Sequence, residues 1–111
     1  MNLPHCQELI IKVSEGVLTI TLNRPHKKNA MNLALVEELM SVVEEVKNER
    51  AIRVIVIRGA ENNFCSGGDI SGMNFDNASS THDPMWLFNR TFGKMITVVN
   101  NAPQVVITVL E

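Results

Sequence analysis

Residues 65 to 69 read Cys-Ser-Gly-Gly-Asp, a set open to three kinds of chemistry. A cysteine thiolate is a nucleophile when a base or a positive charge lowers its pKa. An aspartate can transfer a proton or cap a helix. Two adjacent glycines, Gly67 and Gly68, bare the backbone so that a carbonyl can approach unpaired N–H groups. Such donors stabilise an oxyanion or enolate as it develops. They act best where a loop enters a helix, because the first N–H groups point outward and the helix dipole favours negative charge there. Gly-Gly-Asp is also ordinary turn chemistry, and the turn is its more frequent use. No His or Asn partner for Cys65 is identifiable, so a small packing role suits that thiol better.

The elements around the loop decide which chemistry is available. Residues 54 to 57 (VIVI) are apolar without alternation, as expected of a strand covered on both faces. They deliver the chain to the loop at the strand's C-terminal end, where open α/β folds gather ligands. A short helix is expected from Ile70 to Met73, and residues 75 to 83 are polar, small and aperiodic, as in a mobile loop. Upstream, residues 9 to 13 and 17 to 22 read as strands joined by a three-residue hairpin loop, Ser14-Glu15-Gly16. Leu18, Ile20 and Leu22 alternate with Val17, Thr19 and Thr21, so one face of this strand is buried. Asn23-Arg24-Pro25 ends it, since Pro25 has no N–H for a ladder.

Asn32 is placed to cap a helix whose apolar stripe is Leu35, Val36, Leu39, Val42, Val43 and Val46. Glu37, Glu38, Glu44 and Glu45 are paired carboxylates only in sequence, on the solvated faces of that helix. Asp83-Pro84 opens a second helix, with Asp83 as cap and Pro84 at the first helical position. Its stripe of Met85, Phe88, Phe92, Met95, Ile96 and Val99 has the spacing of a core face. Residues 105 to 110 (VVITVL) read as another doubly buried strand. The order (β-hairpin, helix, strand, loop, helix, strand) predicts an α/β layer with right-handed crossovers.

Composition bounds the function. A length of 111 residues predicts one domain, 1–111, and 45% hydrophobic with 20% charged residues is a globular balance. A formal net charge of −2 lacks the basic field that non-specific nucleic-acid binding needs, so no nucleic-acid partner is expected. Cys6 and Cys65 are the only cysteines, and with three dispersed histidines they make no structural zinc site. Two free thiols suit a reducing, cytoplasmic compartment. The N-terminus has no secretory pattern and no apolar run approaches a membrane span, so no membrane association is expected. The final run ends on a buried-type strand with nothing after it to cover it. The chain therefore reads as truncated, with a surface that favours association.

Three stretches together resemble the crotonase superfamily, the enoyl-CoA hydratase/isomerase family. GVLTITLNRPHKKNAMN (16 to 32) is similar to that family's strand and N-R-P-x-x-x-N-A turn. RVIVIRGAENNFCSGGDI (53 to 70) is similar to its strand and F-C-A/S-G-G/A-D-I/L block, and APQVVITVLE (102 to 111) to a later strand. Order and spacing match over essentially the whole chain. The resemblance implies a crotonase-like ββα spiral core, of which this is the N-terminal part.

It also implies binding of an acyl-CoA thioester, with coenzyme A arriving as part of the substrate and no separate metal or redox cofactor. Gly68 would give a backbone N–H to the thioester oxygen. Ser66 and Gly67 would line the path of the adenine and pantetheine, with Asp69 and Ile70 completing the loop. Lys28 and Ala30 lie in the turn that approaches CoA, with Lys28, or alternatively Lys27, as a partner for its phosphate. Hydration of a 2-enoyl-CoA is the family's most common outcome; isomerisation and acyl-CoA hydrolysis are alternatives, as is a non-catalytic CoA-binding or assembly module. Family enzymes are homo-oligomers, so one is expected here. The family's second oxyanion donor and its acid/base carboxylates match positions beyond Glu111, which predicts that the 111-residue chain is inactive alone. Glu61, Asp76, His82 and Asp83 match no proton-transfer position of the family.

Overall fold

The turn joining the first two strands is tighter than expected. Strands β1 (Leu9–Ser14) and β2 (Val17–Leu22) pair antiparallel up to Ser14 opposite Val17, leaving a two-residue loop. Glu15 and Gly16 both take positive φ, 50° and 81°. That matches the primed turn whose twist suits a two-residue hairpin.

The computed structural model describes residues 2–69 and 84–110. The expected helix at Ile70–Met73, the loop at 75–83 and the Asp83 cap lie outside them. Helix α1 (Leu33–Val46) follows β2 and begins as its sequence requires, with Asn32 Oδ1 accepting the Leu35 N–H at 2.9 Å. Leu35, Val36, Leu39, Val42, Val43 and Val46 are all buried. Strand β3 is Val54–Gly59, helix α2 is Pro84–Asn100 and β4 is Val105–Thr108.

Among the described residues the sheet runs β1-β2-β3-β4, with β2, β3 and β4 mutually parallel. Register stacks Ile11, Ile20, Ile57 and Thr108 in one row, and Val13, Leu18, Ile55 and Val106 in the next. Leu18, Ile20, Ile55 and Ile57 on this face are buried, in one core cluster with the α1 stripe, Phe88 and Met95.

The β3 run, expected to be covered on both faces, is not, and β4, read as a strand of buried type with no element to cover it, is open. In β3, Val54 and Val56 are only half-buried, and in β4, Val105 is 62% exposed and Ile107 47%. Non-alternating apolar sequence reports hydrophobicity on both faces. The described helices supply cover on one, and β4 forms the edge of the described sheet.

Candidate functional site

Pro25 stops β2 and opens a single 3₁₀ turn, Pro25–Lys27. Lys28 and Asn29 then take left-handed φ of 50° and 58°. Asn tolerates that region better than most residues, and here it is fully buried. Its Oδ1 accepts the Arg24 N–H at 2.8 Å, and its Nδ2 donates to the carbonyls of Ala60 and Asn63 at 2.9 and 2.6 Å. One side chain thereby joins the turn after β2 to the loop after β3.

That loop leaves β3 at Gly59, where a Cβ would collide with the Asn63 backbone. It turns through Glu61 and Asn62, both at positive φ, and runs to the glycine pair. There Met31 forms a one-residue parallel bridge with Gly68. The Met31 N–H donates to the Gly67 carbonyl and the Asp69 N–H to the Met31 carbonyl, each at 2.8 Å. Both bonds leave from one edge of the extended segment, so the Gly68 N–H projects from the other. Among the described residues that N–H has no acceptor. Gly67 has φ of 124°, a conformation only glycine adopts without strain. A Cβ on Gly68 would touch the Phe88 ring at 3.4 and 3.5 Å, so the ring lies beside this amide.

Asp69 is tied by its carboxylate: Oδ2 accepts from Arg24 Nη2 at 2.9 Å, with the two side chains 9% and 8% exposed. Arg24 also places Nε 3.3 Å from Glu8 Oε2 and donates from Nη1 to the Ala30 carbonyl at 2.6 Å. A buried guanidinium is tolerated when each nitrogen is engaged in this way. Glu8 is fixed in turn, because Glu38 accepts its N–H at 2.9 Å and that of Gln7 at 3.2 Å. Beside this contact, burial first and then the Glu38 carboxylate push the Cys6 thiol up to about 11.

Between α1, α2 and the C-terminal ends of β3 and β4 lies an apolar cavity of about 630 Å³. Gly67 and Gly68 form part of its wall, with Met31, Ile57, Phe64, Cys65 and Thr108. Helix α2 supplies Met85, Phe88, Asn89, Phe92, Met95, Ile96 and Val99, with the Phe88 and Phe92 rings stacked at 6.2 Å. A smaller hollow of about 250 Å³ is lined by Lys28, Asn63, Phe64, Cys65, Ser66 and Leu110. Phe64 and Cys65 line both, so the loop ahead of the glycines is their common wall.

The structure thus brings together Lys28 and Ser66 at the small hollow, and Gly67 and Gly68 at the large one. Lys28 is exposed, and Ser66 Oγ donates to the Lys27 carbonyl at 3.1 Å. Ala30 lines neither hollow: its side chain is buried and its carbonyl serves Arg24. Asp69 is held by Arg24, and Ile70 lies outside the described residues. Cys65 packs half-buried against the core, with Sγ 3.4 Å from the Gly67 nitrogen. The α2 stripe, whose spacing suits a core face and whose counterpart in the family borders the acyl pocket, lines the large cavity; of it only Phe88 and Met95 are buried. Sequence reasoning missed Arg24, Glu8 and Asn29. The signal was the N-R-P-x-x-x-N-A spacing itself, in which Arg24 was read only as part of a strand stop. Among the described residues no three His, Cys, Asp or Glu side chains could hold a metal ion, and no helix is long and apolar enough to cross a membrane.

Comparison with known proteins adds to this geometry. A sequence model described as Enoyl-CoA hydratase/isomerase matches residues 12–111. The 2,3-dehydroadipyl-CoA hydratase of Escherichia coli is 36% identical over 98 residues, covering 84% of this chain and 38% of that protein. The 1,2-epoxyphenylacetyl-CoA isomerase of the same organism is 28% identical over 99 residues, covering 89% and 38%. Among solved structures, Pseudomonas aeruginosa AtuE superposes with a TM-score of 0.86 at 41% identity, over 95% of this chain and 40% of that one. The chain spans about two fifths of the length of these relatives.

Proposed function

The chain belongs to the enoyl-CoA hydratase/isomerase family, within the crotonase superfamily, and from that premise we propose that the protein binds an acyl-CoA thioester and hydrates a 2-enoyl-CoA. The observation that carries this reading is the Gly68 N–H, which has no acceptor among the described residues and lies in the wall of the apolar cavity. The thioester oxygen accepts this hydrogen bond, and the bond strengthens as negative charge moves onto the oxygen in the enolate. Water's hydroxyl adds at C3 and a proton at C2, so the reaction balances without a metal or redox cofactor. The acyl chain lies along Met31, Phe64, Phe88 and Phe92. Lys28 and Ser66, at the adjoining hollow, suit the phosphate-bearing CoA moiety. Relatives named as a hydratase and as an isomerase match at similar coverage, so the reaction rests on the family's commonest chemistry.

The test is loss of the conjugated absorbance of crotonyl-CoA, followed with this chain joined to the rest of the family fold, because the 111-residue chain is expected to be inactive alone. Gly68→Pro removes the N–H while leaving both Met31 bonds, and is expected to lose roughly 10² to 10³ in kcat. Gly68→Ala keeps the donor and loses far less. Equal rates for wild type and Gly68→Pro contradict the reading.

A second reading, a non-catalytic module that assembles with other chains, draws on the exposure of Val105, Ile107 and Leu110. It predicts self-association together with no hydration. A sharp monomeric peak in size-exclusion chromatography at high concentration counts against it.

A further inference from the structure

We infer that Arg24, through its ion pair with Asp69, is the positioning residue that sets where the Gly68 N–H points. The inference rests on the reading of Gly68 as the thioester donor and adds a residue to that site. Gly68 lies between two anchored neighbours. On one side the Gly67 carbonyl is held by the Met31 N–H; on the other the Asp69 N–H is held by the Met31 carbonyl, each at 2.8 Å. Met31 itself follows Ala30, whose carbonyl accepts from Arg24 Nη1 at 2.6 Å, while Nη2 of the same guanidinium takes Asp69 Oδ2 at 2.9 Å. One planar group therefore grips both sides of the bridge, the Ala30 side and the Asp69 side.

The spacing of the two Nη atoms is fixed by covalent geometry. It sets the separation of the two segments, and with it the orientation of the peptide between Gly67 and Asp69. Backbone bonds alone leave the bridge only one residue long, and a single-residue ladder restrains rotation about its own axis poorly. The ion pair is more than nine-tenths buried at both ends, so bulk water screens it little. Lysine has a charge but no fork, and reaches one acceptor at a time. Arg24→Lys is accordingly not conservative here, and Asp69→Asn keeps the shape while removing the charge.

The test uses the full chain and butyryl-CoA carrying ¹³C at the thioester carbonyl. Its ¹³C resonance moves downfield when the oxygen accepts a hydrogen bond, a signature that loss of stability alone does not move. At saturating ligand the wild type is expected to show the shift, Gly68→Pro to lose it, and Arg24→Lys and Asp69→Asn each to lose most of it with native amide spectra. A wild-type shift retained in either of these two variants, while Gly68→Pro loses it, overturns the positioning role. No shift in the wild type, or an undiminished one in Gly68→Pro, instead removes the donor reading beneath it. If one variant unfolds, the other decides, because they break the same bond from opposite ends. If both unfold, the pair holds the fold rather than the loop, and the inference is overturned.

Discussion

Two parts of the molecule meet at the apolar cavity and are built in opposite ways. The junction of the turns after β2 and β3 is polar, and its buried groups are matched one to one: Asn29 serves three backbone groups and Arg24 serves Glu8, Ala30 and Asp69. The β4 edge is apolar and open, with Val105 and Ile107 largely exposed while Thr108 reaches the cavity. Ladder hydrogen bonds hold β4 to β3 along one edge, whereas at the junction buried side chains bond the two turns to each other directly. The donor sits in the region where such bonds are dense.

The contrast predicts unequal sensitivity. Asn29→Ala strands the carbonyls of Ala60 and Asn63 and the Arg24 N–H. The expected loss is roughly 2–4 kcal/mol, since each unmatched buried group costs about 1–3 and neighbours are not additive. Urea unfolding measures it, and a loss within error of zero would mean that water replaces these bonds and that the junction is not dry.

A smaller effect is expected where the N-terminal arm extends the junction. Cys6 is raised from 9.0 to about 11 by burial and by Glu38, so the folded state holds this proton more tightly than the unfolded chain. Its contribution to stability is full below about pH 9 and is lost as pH rises towards 11. Alkylation of Cys6 by iodoacetamide should rise with a midpoint near pH 11 in the folded protein; a midpoint near 9 would mean that the arm does not dock on α1. The smallest effect belongs to the open face. Ile107→Thr should change stability by less than about 0.5 kcal/mol, and a loss several times larger would show that this face is covered in solution.

Much of the scaffold was legible because periodicity reports it. The six buried positions of α1, the Asn32 cap and the alternation in β2 follow from residue spacing. Coverage of β3 was misjudged because hydrophobicity says that a face can be buried, not which element lies on it. The hairpin loop was one residue too long because strand pairing carried Ser14 into the ladder. At the site, Gly67 and Gly68 stood out by lacking side chains. Arg24 and Asn29 did not, because their partners lie 5 to 45 residues away in sequence. A lone arginine before a proline carries no sign of the carboxylate it will meet.

The central claim is that the Gly68 N–H receives the thioester oxygen. Titrating the ¹⁵N-labelled chain with butyryl-CoA, and following every backbone amide proton, tests it most directly. The account predicts that the Gly68 amide proton moves furthest downfield, while those of Val105 and Ile107 on the open face stay in place. A Gly68 resonance unmoved at saturation, or a larger shift along β4, would contradict it.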